Sequence, residues 1–139
     1  MKTFSSVAII DDDMADRMFA RRAVKKLWPQ ARITEFSYSS TALDHLRTPG
    51  HQEFDLILLD INMPRIDGFE FADRYCGLVS EIRDRAELVM MSHSIDPQDR
   101  VRANAHRSIS AFLPKPITIA GLVETVSQTR QFAGHHAAS

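Results

Sequence analysis

A single doubly wound α/β domain built on a parallel sheet is what this 139-residue chain predicts, on three observations. Five short apolar runs alternate with five helix-like segments, uninterrupted by repeats or low-complexity linkers, as in strand–helix–strand units joined by right-handed crossovers. The third run, Phe54-Asp55-Leu56-Ile57-Leu58-Leu59, is apolar at nearly every position, as a strand buried on both faces is. Acids, a serine and a lysine then stand just beyond the carboxyl ends of the runs, the edge where open α/β sheets build their sites.

In chain order, the first strand is expected at Val7 to Ile10. Asp13, with Asp16 three residues on, opens the first helix, whose stripe Ala20, Ala23, Val24 and Leu27 faces inward. It ends near Trp28, because Pro29 has no amide to continue it. The second strand spans Arg32 to Phe36 and a helical segment follows. The third strand covers Phe54 to Leu59, and Asp67 with Glu70 opens the helix after it. The fourth strand covers Glu87 to Met91; Asp96, followed by Pro97 and Asp99, then starts a helix with an acceptor, a preset φ and a first-turn acid. The fifth strand spans Ile109 to Leu113. A last helix, Ile119 to Phe132, buries Leu122, Val123 and Val126, and residues 134–139 form a frayed, disordered tail.

Composition narrows the function. Apolar residues at 44%, charged residues at 25% and a formal net charge of -1 leave no bulk attraction for nucleic acid or membrane, so specificity must come from a site. One cysteine, Cys76, excludes an internal disulfide; it reads as a small, partly buried apolar residue. Val7 to Ile10 is too short for a signal-peptide core, and no run reaches the roughly twenty apolar residues of a membrane span. A cytoplasmic protein is expected. Arg17, Arg21, Arg22, Lys25 and Lys26 make a basic face on the first helix, either ordinary solvated surface or a docking patch for an acidic partner. No nucleic-acid-binding module accompanies it. His135 and His136 read as tail residues rather than metal ligands.

The strand ends carry the chemistry: Asp11, Asp12 and Asp13 after the first, Asp60 after the third, Ser92 after the fourth and Lys115 after the fifth. Capping accounts for Asp13. Asp11, Asp12 and Asp60 repel one another unless a cation or protons intervene, which suggests a hard divalent ion, best Mg2+, with its preference for oxygen ligands. Lys115 adds positive charge and Ser92 a hydroxyl, both suited to a phosphoryl group, and Asp60 is the natural nucleophile.

These residues carry a family resemblance. The ordered set of an acid pair after the first strand, Asp55-Leu56-Ile57-Leu58-Leu59-Asp60-Ile61-Asn62-Met63-Pro64 with Asp67-Gly68 close behind, Ser92 after an apolar strand, and Phe112-Leu113-Pro114-Lys115-Pro116 resembles the receiver domain of two-component response regulators. It covers roughly residues 5 to 131 and implies a receiver domain over residues 1–133. The fold it implies is flavodoxin-like, a five-stranded sheet in the order 2-1-3-4-5. Asp60 is then the phosphoacceptor and Asp12 a direct Mg2+ ligand. Asp11 acts on the metal through water, and the Asn62 carbonyl completes the protein ligands. Lys115 binds a phosphoryl oxygen, and a cis bond precedes Pro116. Ser92 and Phe112 are the switch pair; by periodicity alone Phe112 is only core.

The resemblance further implies a sensor histidine kinase or histidine phosphotransfer protein as phosphodonor, and a surface of fourth helix, fifth strand and fifth helix that changes for a downstream protein target. A stand-alone, chemotaxis-regulator-like switch is expected, since the residues after Phe132 are too few for a second domain, and it would catalyse its own phosphorylation and dephosphorylation rather than act as an enzyme on other substrates. His93 departs from the pattern, since many receivers have a small residue there; its imidazole would either hinder access to the site or face solvent. Asn62 and Ser94 flank the site and are expected to tune the lifetime. Two other functions compete. An unphosphorylated receiver-fold scaffold needs no intact site. A haloacid-dehalogenase-like phosphatase would use Asp11 and Asp13 as its Asp-x-Asp pair, but leaves Asp60 and its turn unexplained.

Overall fold

The computed structural model describes residues 2–78, 86–93 and 96–128. Its strands are β1 (Ser6–Ile10), β2 (Arg32–Phe36), β3 (Leu56–Asp60), β4 (Glu87–Ser92) and β5 (Ala111–Pro114), and its helices α1 (Met14–Leu27), α2 (Ser39–Arg47), α3 (Gly68–Leu78), α4 (Pro97–Ala105) and α5 (Ile119–Ser127). The strands form one parallel sheet in the order β2-β1-β3-β4-β5. No described helix is long and apolar enough to cross a membrane.

Alternation along each inner strand divides the core in two. Ala8, Ile10, Ile57, Leu59, Leu88 and Met90 point to one side, with Leu43 of α2, Phe69, Phe71, Ala72 and Tyr75 of α3, and Ala103 of α4. Val7, Ile9, Leu56, Leu58, Val89 and Met91 point to the other, with Ala20, Ala23 and Val24 of α1 and Leu122 and Val126 of α5. Successive Cβ atoms take opposite faces, so a strand covered on both sides is apolar along its covered length, as β3 is from Leu56 to Leu59, ahead of Asp60 at its end.

Helix starts follow the expected chemistry. Asp13 accepts from the amides of Ala15 and Asp16, Asp67 from that of Glu70, Asp96 from that of Gln98 and Thr118 from that of Gly121. Helix α2 has Tyr38 at its start and no side-chain cap. Trp28 closes α1, its amide bonded to the Val24 carbonyl, its ring edge-on to Phe4 at 4.9 Å and its indole N–H donating to the Lys2 carbonyl. Cys76 is half-buried.

Some boundaries move. β3 starts two residues later than expected, because Asp55 is spent on its neighbours: its amide donates to the Ser6 carbonyl and its carboxylate accepts from the amides of Ser5 and Ser6. β5 also starts two residues late, since Ile109 is tied into a turn through its amide to the His106 carbonyl. The expected last turn of the final helix and the 134–139 tail, with His135 and His136, lie outside the described residues, as does Ser94. The basic face of α1 is partly engaged, Arg17 and Arg21 both pairing with Glu35 of β2.

Candidate functional site

Four strand ends meet at one rim. Asp11 follows β1, Asp60 ends β3, Ser92 ends β4 and Lys115 follows β5, joined to Pro116 by a cis peptide. The Lys115 amide donates to the Ser92 carbonyl at 2.9 Å, bringing the ends of β4 and β5 together. Gly68 permits α3 to start against the end of β3: a Cβ there would lie 2.8 Å from the Asp60 carbonyl oxygen, and its amide donates to the Ile61 carbonyl at 2.8 Å. The intervening turn carries Arg65 at φ 70°, a left-handed conformation uncommon away from glycine.

Lys115 is the hub. Its side chain is 2% exposed, and its ammonium lies 2.6 Å from Asp11 Oδ2, 2.9 Å from Asp16 Oδ2 and 3.1 Å from Asp60 Oδ1. Its contacts with Asp16 and Asp60 are hydrogen bonds, while that with Asp11 is an ion pair outside hydrogen-bond geometry. The expected set Asp11, Asp12, Asp60 and Lys115 thus comes together. Oxygens of Asp11, Asp12 and Asp60 lie within 4.8 Å of one another; Asp11 and Asp60 are buried and Asp12 is exposed.

The charges answer this crowding. Burial, reinforced by the charge of Asp11, raises the Asp60 carboxyl from 3.8 to about 6, although Lys115 and the Asn62 amide pull the other way. Burial likewise raises Asp11, with Lys115 and the Asp13 amide opposing. Burial would lower Lys115, but hydrogen bonds and charge from its three carboxylates prevail and hold it above the usual lysine value. Burial would also raise Asp16, yet Lys115 and His93 prevail and lower it.

A divalent cation fits this donor set. Oδ2 of Asp11 is buried without a hydrogen bond, and the three clustered acids, with Asp16, set four carboxylates against one ammonium. An oxygen-seeking ion would relieve both conditions. Asn62 is exposed in the turn after β3. Phe112 is half-buried, packed on the core beneath the Arg100 guanidinium at 5.1 Å.

Sequence reasoning missed Asp16. It stood out only as a first-turn acid of α1, yet it is buried and its Oδ2 accepts from both Lys115 and His93, the latter at 3.0 Å. Its place one turn into the helix that leaves the acid triplet was the available signal. His93 is neither free in solvent nor closed in: its side chain is 63% exposed, but its Nε2 is tied to α1. Asp13 is used as a helix cap, which withdraws it from any Asp-x-Asp pair with Asp11.

The doubly wound sheet and its lysine-bound acid rim define a class of signalling receiver domains. The chain belongs to the response regulator receiver domain family, whose model matches residues 7–127. A crystal structure of a response regulator receiver protein from Dyadobacter fermentans superposes with a TM-score of 0.74 at 34% identity, covering 86% of this chain and 93% of that one. A two-component response regulator from Cytophaga hutchinsonii superposes at 0.76 with 25% identity, over 88% of this chain and 94% of that one. Among curated proteins, the "Probable methanogenesis regulatory protein FilR2" of Methanothrix harundinacea is 26% identical over 91% of this chain and 81% of its own length. The cyclic di-GMP phosphodiesterase response regulator RpfG of Xanthomonas campestris is 31% identical over 81% of this chain, which spans only 28% of that protein.

Proposed function

We propose that this protein is a phosphorylation-dependent signalling switch in which Asp60 accepts a phosphoryl group from a sensor histidine kinase or histidine phosphotransfer protein. The observation that carries this reading is the buried Lys115 ammonium 3.1 Å from Asp60 Oδ1, inside a cluster of carboxylates. An Asp60 oxygen attacks phosphorus in line, the P–N bond to the donor imidazole breaks, and its electron pair returns to the imidazole nitrogen. Lys115 neutralises charge on the transferring group and fixes its orientation. Asp12, Asp60 and the Asn62 carbonyl would hold Mg2+, with Asp11 acting through water, and the ion supplies charge neutralisation for the phosphoryl oxygens.

Ser92 then turns its hydroxyl toward the phosphoryl group. Phe112 moves into the space it leaves, breaking its contact with Arg100 and changing the surface of α4, β5 and α5 for a downstream protein target. Hydrolysis of the acyl phosphate resets the switch. Residues 1–133 act as one receiver unit, in the cytoplasm. A receiver-fold scaffold would have no need of the Lys115 cluster, and the phosphatase alternative loses Asp13 to capping. Incubation with acetyl phosphate should label the protein only with Mg2+, and Asp60→Asn should abolish labelling. Undiminished labelling of Asp60→Asn would refute the assignment.

A further inference from the structure

The Lys115 ammonium hydrogen-bonds Asp16 and Asp60 and pairs with Asp11, so a phosphoryl oxygen arriving at Asp60 competes with these carboxylates for it. Asp16 is the partner outside the Asp11, Asp12 and Asp60 cluster. It is buried, and a single oxygen, Oδ2, accepts from Lys115 at 2.9 Å and from His93 at 3.0 Å. The position of this shared oxygen follows from the topology. His93 follows β4 and Asp16 lies on the helix after β1, while β3 sits between those two strands. The His93–Asp16 contact therefore spans the carboxyl end of the strand that Asp60 terminates.

Resting on the phosphoacceptor reading above, we propose that Asp16 is a positioning residue that passes from Lys115 to His93 on phosphorylation, closing the imidazole across the phosphorylated Asp60 and slowing hydrolysis. Two donors on one oxygen compete for its negative charge. When the phosphoryl group draws Lys115 away, the carboxylate is left to His93, and their contact tightens. In the unmodified protein Asp16 also holds Lys115 back from an incoming phosphoryl group and adds a like charge that repels it. Asp16 thus slows both entry and loss. During loss, water attacks phosphorus in line, the bond from phosphorus to the Asp60 oxygen breaks, and the Asp60 carboxylate and inorganic phosphate are released; a closed imidazole narrows the path of that water.

The test uses the full chain labelled by acetyl phosphate with Mg2+, after which donor is removed and loss of label is timed. Asp16→Asn, nearly isosteric, should lose its phosphoryl group about fivefold faster than wild type, the equivalent of ~1 kcal/mol, and should be labelled faster. His93→Ala, at an exposed position, gives a variant whose folding is not at issue; it should show the faster loss. The double variant should lose label no faster than the quicker single variant, because both changes remove one contact. Wild-type loss rates in both single variants would overturn the proposal, as would additive effects in the double variant. Absence of any label on wild type would overturn the phosphoacceptor reading itself, whereas labelling with unchanged lifetimes defeats only the role of Asp16.

Discussion

Lys115 Nζ stands 3.1 Å from Asp60 Oδ1 while also contacting Asp11 and Asp16, so one buried cation compensates three buried carboxylates. Removing it leaves Asp11 and Asp60 without their cation, while Asp16 keeps its contact with His93. Lys115→Ala should destabilise the metal-free protein by about 3–5 kcal/mol at neutral pH, the usual cost of breaking a buried ionic cluster from one side. The deficit should shrink on acidification as the carboxylates take up protons, which denaturant melts at pH 7 and pH 4.5 would show. A constant deficit would mean that lost packing, not charge, is the cause.

Asp60 behaves in the opposite sense. Its folded-state value, raised by burial and by Asp11 from 3.8 to about 6, means that the folded protein holds this proton more tightly than the unfolded chain does. Its contribution to stability is therefore full below about pH 4 and lost as pH rises through about 6. Asp60→Asn should stabilise the metal-free protein by about 1–3 kcal/mol at pH 7, with the difference from wild type vanishing near pH 4. Urea unfolding across that interval measures it.

Mg2+ should compensate what Lys115 cannot. At about a hundred times its dissociation constant, the ion should stabilise the folded state by ~2.7 kcal/mol. Asp12→Ala removes an exposed acid from the cluster, so the fold should persist while the Mg2+-dependent rise in melting temperature disappears. An unchanged rise would place the ion elsewhere.

Gly68→Ala tests the approach of α3 to the end of β3. The new methyl would meet the Asp60 carbonyl oxygen at 2.8 Å and the Ile61 Cα at 2.9 Å, both backbone atoms that cannot swing aside. A loss of about 1–3 kcal/mol is expected, together with slower labelling of Asp60 because the end of β3 is displaced. Unaltered stability would show that the turn relaxes freely.

Tyr75→Phe removes a buried acceptor. The Tyr75 hydroxyl accepts from the Ala86 amide at 2.8 Å ahead of β4, and its loss should cost about 1–3 kcal/mol by leaving that N–H unsatisfied. Hydrogen exchange at Ala86 should quicken in the variant.

Legibility differed by level. Strand β3 was readable because a strand covered on both faces is apolar along its covered length; α1, α3 and α4 announced their starts with Asp13, Asp67 and Asp96. Helix α2 offered no capping side chain, and Asp55 looked like part of a strand although its carboxylate holds two amides of another segment. Asp11, Asp12, Asp60 and Lys115 were legible because each sits beside a strand end, and parallel strands gather those ends at one edge. Asp16 was not, since a first-turn acid on a helix has an ordinary explanation in capping and the helix dipole.

By itself, the sequence determined the alternation of elements, the apolar central strands and the gathering of acids and a lysine on one rim, because periodicity and punctuation are local properties of the chain. Tertiary structure alone decided how the Lys115 donors are shared and that His93 reaches across from β4 to α1. The physical reason is distance along the chain. Asp16 and Lys115 are 99 residues apart and Asp16 and His93 are 77, so only packing α1 and the β4 and β5 ends around β3 could put one carboxylate oxygen within reach of both.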